Sequence, residues 1–115
     1  MTKPTGDYLS DILKHITYIE TFTRDGEAIF RDDPKTQLAV MRAYEIIGEI
    51  VKRLPQEMLD QQPEIEWKAI KGFRDVLIHQ YDNVDLNIVW ASVVKLPLLR
   101  AAVETLLAAV PPEED

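Results

Sequence analysis

The chain has 115 residues, a formal charge of −7 and no cysteine. That length fits one domain with a modest core, and the absence of cysteine excludes disulfides and thiolate metal sites. The acidic balance argues against a broad basic face that grips long nucleic acid by phosphate neutralisation, so any nucleic-acid chemistry has to be built on a small, local basic site.

The start, Met1 to Asp7, has no apolar leader pattern. The longest apolar runs, such as Ile88–Val94, are too short to span a bilayer. The expectation is a cytoplasmic protein with no membrane partner. Residues 1–6 are expected to be flexible, 7–110 to form the folded domain, and 111–115 (Pro-Pro-Glu-Glu-Asp) to be a disordered acidic tail.

Apolar residues follow the helical period almost throughout. Asp7 reads as an N-cap, followed by a stripe of Leu9, Ile12, Leu13, Ile16, Ile19 and Phe22. Arg24-Asp25-Gly26 breaks this helix, and a short helical turn through Ala28–Phe30 follows. A second long helix is predicted from Asp33-Pro34, with Asp33 capping and Pro34 in the first helical position. It carries Leu38, Met41, Ala43, Tyr44, Ile47, Ile50, Val51 and Leu54 and ends at Pro55. Residues 56–61 have room for one more turn. A third helix is predicted from about Ile65 to Tyr81, then a turn at Asp82-Asn83. Asp85 reads as the cap of a last helix reaching about Val110, kinked near residues 93–96 because Pro97 removes a hydrogen bond and crowds the preceding turn. The predicted class is all-α: an antiparallel bundle of four main helices plus short helical turns.

The informative segment lies in the third helix, where Arg74, His79 and Tyr81 stand in the order Arg-x-x-x-x-His-x-Tyr, with Lys68 and Lys71 just upstream. At about 100° per residue, Arg74 and Tyr81 share a face, Asp75, His79 and Asp82 form a second stripe, and Arg74 and His79 diverge by roughly 140°. Convergence on one substrate therefore requires the arginine to curl round or a second copy of the helix to supply the missing half, which points to a dimer with its site at the seam. The chemistry suits RNA cleavage. A neutral imidazole can accept the ribose 2′-hydroxyl proton and an imidazolium can protonate the leaving oxygen. A guanidinium can stabilise the phosphoryl charge. Asp75, one turn before His79, is placed to orient the ring, and Lys71 adds local positive charge. His15 and His79 are the only histidines, and neither has acidic neighbours at metal-ligand spacing, so no metal or cofactor is expected.

Other residues have simpler readings. His15 is expected at the surface or core edge, and Trp67 and Trp90 as core or dimer-seam anchors. The pair Glu45 and Glu49 is either solvated or a brace for Arg74 or Lys71 across the bundle.

The run Phe73–Asp85 closely resembles the HepT-like branch of the HEPN superfamily. So do Ile47-Gly48-Glu49 upstream, Glu66–Ile70, and Val89-Trp90 downstream. The resemblance covers roughly residues 7–110. It implies a dimeric helical bundle that acts as a metal-independent endoribonuclease, with Arg74 and His79 at the catalytic positions. It also implies a toxin paired with a minimal nucleotidyltransferase antitoxin that adenylylates Tyr81. The alternative from another class is a non-catalytic helical module that binds a nucleotidyltransferase partner or a nucleotide.

Overall fold

The computed structural model describes residues 3–111. Among them every regular element is helical: α1 (Thr5–Phe22), α2 (Glu27–Asp32), α3 (Pro34–Arg53), α4 (Gln56–Leu59), α5 (Trp67–His79), a 3-10 turn (Tyr81–Asn83), α6 (Leu86–Val94) and α7 (Leu96–Ala108). Helix α3 packs against α1 on one side and α5 on another, and α7 closes onto α1.

Helix α1 begins two residues before the expected cap. Pro4 occupies the N-cap position and its carbonyl accepts from the backbone N–H of Asp7 at 3.0 Å. Asp7 lies within the first turn instead, where its charge opposes the positive end of the helix dipole. Thr5 and Gly6 are thus helical, inside the stretch expected to be flexible; residues 1 and 2 and the tail residues 112–115 lie outside the described residues. The start of α3 follows expectation: Asp33 accepts from the N–H of Lys35 at 3.1 Å and from the Thr36 hydroxyl at 2.7 Å, with Pro34 in the first turn. Leu54 ends α3 in extended conformation ahead of Pro55, as the residue before a proline favours.

The core is the summed apolar face of these helices. Leu9, Ile12, Ile16 and Ile19 of α1 meet Val40, Ile47 and Val51 of α3 and Val103 of α7, all fully buried. Each such side chain contributes roughly 1.5–3 kcal/mol of burial. Trp67 anchors the entry to α5, its indole N–H shared between the carbonyls of Leu59 (3.0 Å) and Gln62 (3.1 Å). The second tryptophan, Trp90, is half-buried and packs on Phe30 at 5.3 Å between ring centroids. His15 is half-buried at the core edge, its Nδ1 2.7 Å from the Asp11 carbonyl.

The last helical segment breaks where Pro97 predicts. α6 and α7 meet at Lys95 with a 51° bend, and Asp85 caps α6 by accepting from the N–H of Asn87. No single helix among the described residues is long and apolar enough to cross a membrane.

Candidate active site

Arg74 sits at a close approach of α5 to α3, and a glycine makes the approach possible. A Cβ placed on Gly48 would lie 2.5 Å from the Arg74 Cβ and 3.2 Å from the Ile70 carbonyl oxygen. Without a side chain at 48, the stem of Arg74 lies against the α3 backbone. The guanidinium is then gripped from two directions. Nη2 pairs with Oε2 of Glu49 at 2.9 Å, and Nη1 donates to Oδ1 of Asp75 at 3.0 Å. The side chain is only 24% exposed, and its buried Nε has no hydrogen-bond partner. Of the two readings for Glu49, the brace for Arg74 is the one that forms.

Lys52, one turn beyond Gly48 on α3, completes the group. Its Nζ donates to the same Oδ1 of Asp75 at 2.9 Å. Lys52 first, and Arg74 second, hold the Asp75 carboxyl below its ordinary range. Arg53 adds a further ion pair to Glu49 at 3.2 Å. A chain of alternating charges thus crosses from α3 to α5 and back. The sequence signal for Lys52 is its spacing, one turn after both Gly48 and Glu49.

The site expectations divide on this geometry. Asp75 Oδ1 accepts from Lys52 and Arg74, and not from His79. His79 is exposed and is the last residue of α5. The helix stops there, so the wheel that aligned Tyr81 with Arg74, and Asp82 with His79, does not apply: both residues lie in the 3-10 turn. Tyr81 is 79% exposed. Lys71 is half-buried, three residues before Arg74. The structure therefore gathers Arg74, Asp75, Glu49 and Lys52 in one cluster, with His79 and Tyr81 beyond it at the open end of α5. Among the described residues no group of three His, Asp or Glu side chains is placed to hold a metal.

Beneath the cluster, Tyr44 of α3 packs edge-on against Phe73 of α5 at 5.6 Å. Its hydroxyl is buried without a partner, and burial pushes its pKa far above the ordinary value.

The family model described as "Ribonuclease HepT-like" matches residues 12–106, a span that includes every residue of this cluster. The chain belongs to the HepT-like family of the HEPN superfamily. Three relatives illustrate the range of this HepT-like chain's similarity. A protein of Thermococcus cleftensis named "Probable ribonuclease HepT" is 44% identical over 110 residues, covering 92% of this chain and 98% of the relative. A Methanocaldococcus jannaschii protein named "Putative RNase" is 36% identical over 115 residues, covering 98% and 95%. A Caldanaerobacter subterraneus protein, also named "Putative RNase", is 38% identical over 107 residues, covering 91% and 96%. No solved structure matches the chain.

Proposed function

We propose that this HepT-like protein is a metal-independent endoribonuclease, active as a homodimer, and the toxin of a toxin–antitoxin pair. The observation that carries the reading is the joint occurrence of the family match with an immobilised Arg74 one and a half turns before an exposed His79. In this scheme the ribose 2′-oxygen attacks phosphorus while its proton passes to a neutral His79 imidazole. The bond from phosphorus to the 5′-oxygen breaks, and an imidazolium protonates the leaving oxygen, yielding a 2′,3′-cyclic phosphate and a 5′-hydroxyl. Arg74 holds the nonbridging oxygens, and its charge offsets that of the transition state. Lys71 contributes positive charge nearby. Asp75 pairs with Arg74 while no RNA is bound.

A second copy of the chain brings a second α5 to the seam, so base and acid need not be the same ring. Exposed apolar side chains support such a seam: Val76 and Ile78 on α5, Ile88 and Val94 on α6, and Leu98 on α7. Sedimentation at micromolar concentration is expected to show a dimer; a monomer alone refutes this part.

The partner in this reading is a nucleotidyltransferase antitoxin. It transfers AMP from ATP to the Tyr81 hydroxyl and releases pyrophosphate. The exposure of Tyr81 supports access for that transfer, and the added phosphodiester charge and bulk at the end of α5 block RNA.

The decisive experiment is incubation of a mixed RNA pool with the purified protein in EDTA, beside its His79→Ala and Arg74→Ala forms. Fragmentation by the unaltered protein, reduced about 100-fold or more in each variant, is expected. Equal activity in all three overturns the assignment. The net charge of −7, and the two carboxylates already on Arg74, favour one rival: a non-catalytic module that binds the nucleotidyltransferase or a nucleotide. It predicts intact RNA and no growth arrest when the chain is expressed alone.

A further inference from the structure

We infer that Lys52 is a second phosphate-binding residue of this site, with Asp75 as an internal stand-in for the RNA phosphodiester that docks between Lys52 and Arg74. The inference rests on the ribonuclease reading and adds to it a residue from a different helix. One carboxylate oxygen, Asp75 Oδ1, accepts from Lys52 Nζ at 2.9 Å and from Arg74 Nη1 at 3.0 Å. Two cations converging on one anionic oxygen is the arrangement that a nonbridging phosphate oxygen requires.

The cradle is preorganised on the arginine side. Glu49 holds Nη2, and Gly48 lets the stem lie against α3, which leaves Nη1 for the oxygen that Lys52 also binds. It is open on the lysine side, because the Lys52 side chain is 34% exposed. The Asp75 side chain is 48% exposed, so an incoming phosphate can displace it into water at little desolvation cost. The carboxylate thus keeps two like charges from repelling one another while the site is empty, and competes with RNA for them when it is not.

A purely structural Lys52–Asp75 pair makes a different prediction. Lys52→Ala and Asp75→Asn would then remove the same bond and shift every property in the same direction. A phosphate cradle makes them opposite in sign. The experiment uses the whole 115-residue chain, with thermal melting to verify that each variant folds. Cleavage kinetics are measured on a mixed-sequence RNA, and binding by anisotropy on a labelled, uncleavable 2′-O-methyl oligoribonucleotide across a sodium chloride series.

Lys52→Ala is expected to raise KM and Kd about fivefold or more, and to reduce the slope of log affinity against log salt by roughly 0.7, the increment for one phosphate contact on a single strand. Lys52→Arg should restore both. Asp75→Asn should lower Kd. An unchanged salt slope in Lys52→Ala, or a rise in Kd for Asp75→Asn, overturns the inference while leaving RNA cleavage by the unaltered protein standing. RNA neither bound nor cleaved by the unaltered protein overturns both.

Discussion

Of the glycines, Gly48 is the one whose added Cβ would meet a neighbour too closely, the Arg74 stem, and Gly48→Ala tests that contact directly. In the middle of a helix, alanine is ordinarily better than glycine by about 0.8–1.0 kcal/mol. Here the new methyl would sit 2.5 Å from the Arg74 Cβ and 3.1 Å from its Cγ. A Cβ is fixed to its backbone and cannot rotate aside, so α3 and α5 must separate by roughly 1 Å before ordinary contact is restored. Overpacking of this kind costs about 1–3 kcal/mol. The net expectation is a loss of up to about 2 kcal/mol, the propensity gain offsetting part of the overpacking cost. In a domain of this size that lowers the melting temperature by up to about 10 °C. Under the ribonuclease proposal, activity should fall further than stability does, because a displacement of about 1 Å at a phosphate-holding group can cost about 100-fold. Thermal denaturation, with cleavage assayed well below the melting range, separates the two effects. A Gly48→Ala protein as stable as the parent, or more so, with unaltered cleavage would refute the close approach of α3 to the Arg74 stem.

Three further outcomes follow from the same packing. Tyr44→Phe removes a buried hydroxyl that has no partner, so denaturant unfolding should show a neutral or stabilising change; a loss of more than about 1 kcal/mol would mean that the hydroxyl is hydrogen-bonded. Trp67→Phe leaves the Leu59 and Gln62 carbonyls without their shared donor and loosens the corner between α4 and α5, with an expected cost of about 1–3 kcal/mol by the same measurement. The Asp75 carboxyl is depressed in the folded chain by Lys52 and Arg74, so its stabilisation is present above the unfolded value near 3.8 and is lost as pH falls through the lower folded one. Asp75→Asn should therefore flatten the acid limb of the stability profile below about pH 4 and leave its neutral-to-alkaline shape unchanged.

Much of this fold was legible because its signals are local. The Asp33-Pro34 start, the stop at Pro55, the Asp85 cap and the break before Pro97 each depend on chemistry within a few residues, and each stands where the sequence places it. The start of α1 departs from expectation for a related reason. Asp7 is a good cap in isolation, but Pro4 lies three residues earlier and fixes the backbone for helix entry first. The end of α5 carried no comparable mark. Neither glycine nor proline follows His79, so the period alone ran the helix on to Tyr81, and the face shared by Arg74 and Tyr81 was an extrapolation past the true end.

The site shows the deeper limit of reading along one chain. Asp75 has His79 as its i+4 neighbour, and periodicity can propose no other partner. Its actual partner on α3 is 23 residues away in sequence, and it is within reach because position 48 has no side chain. The deciding residue for Asp75 is thus a glycine that touches it nowhere. Gly48 lets the two helices approach, and Lys52 then reaches the Asp75 carboxylate. His79, the last residue of α5, is left exposed. Partner choice in this cluster is a property of helix separation, and it becomes readable from sequence only when the glycine, the lysine and the aspartate are considered as one unit.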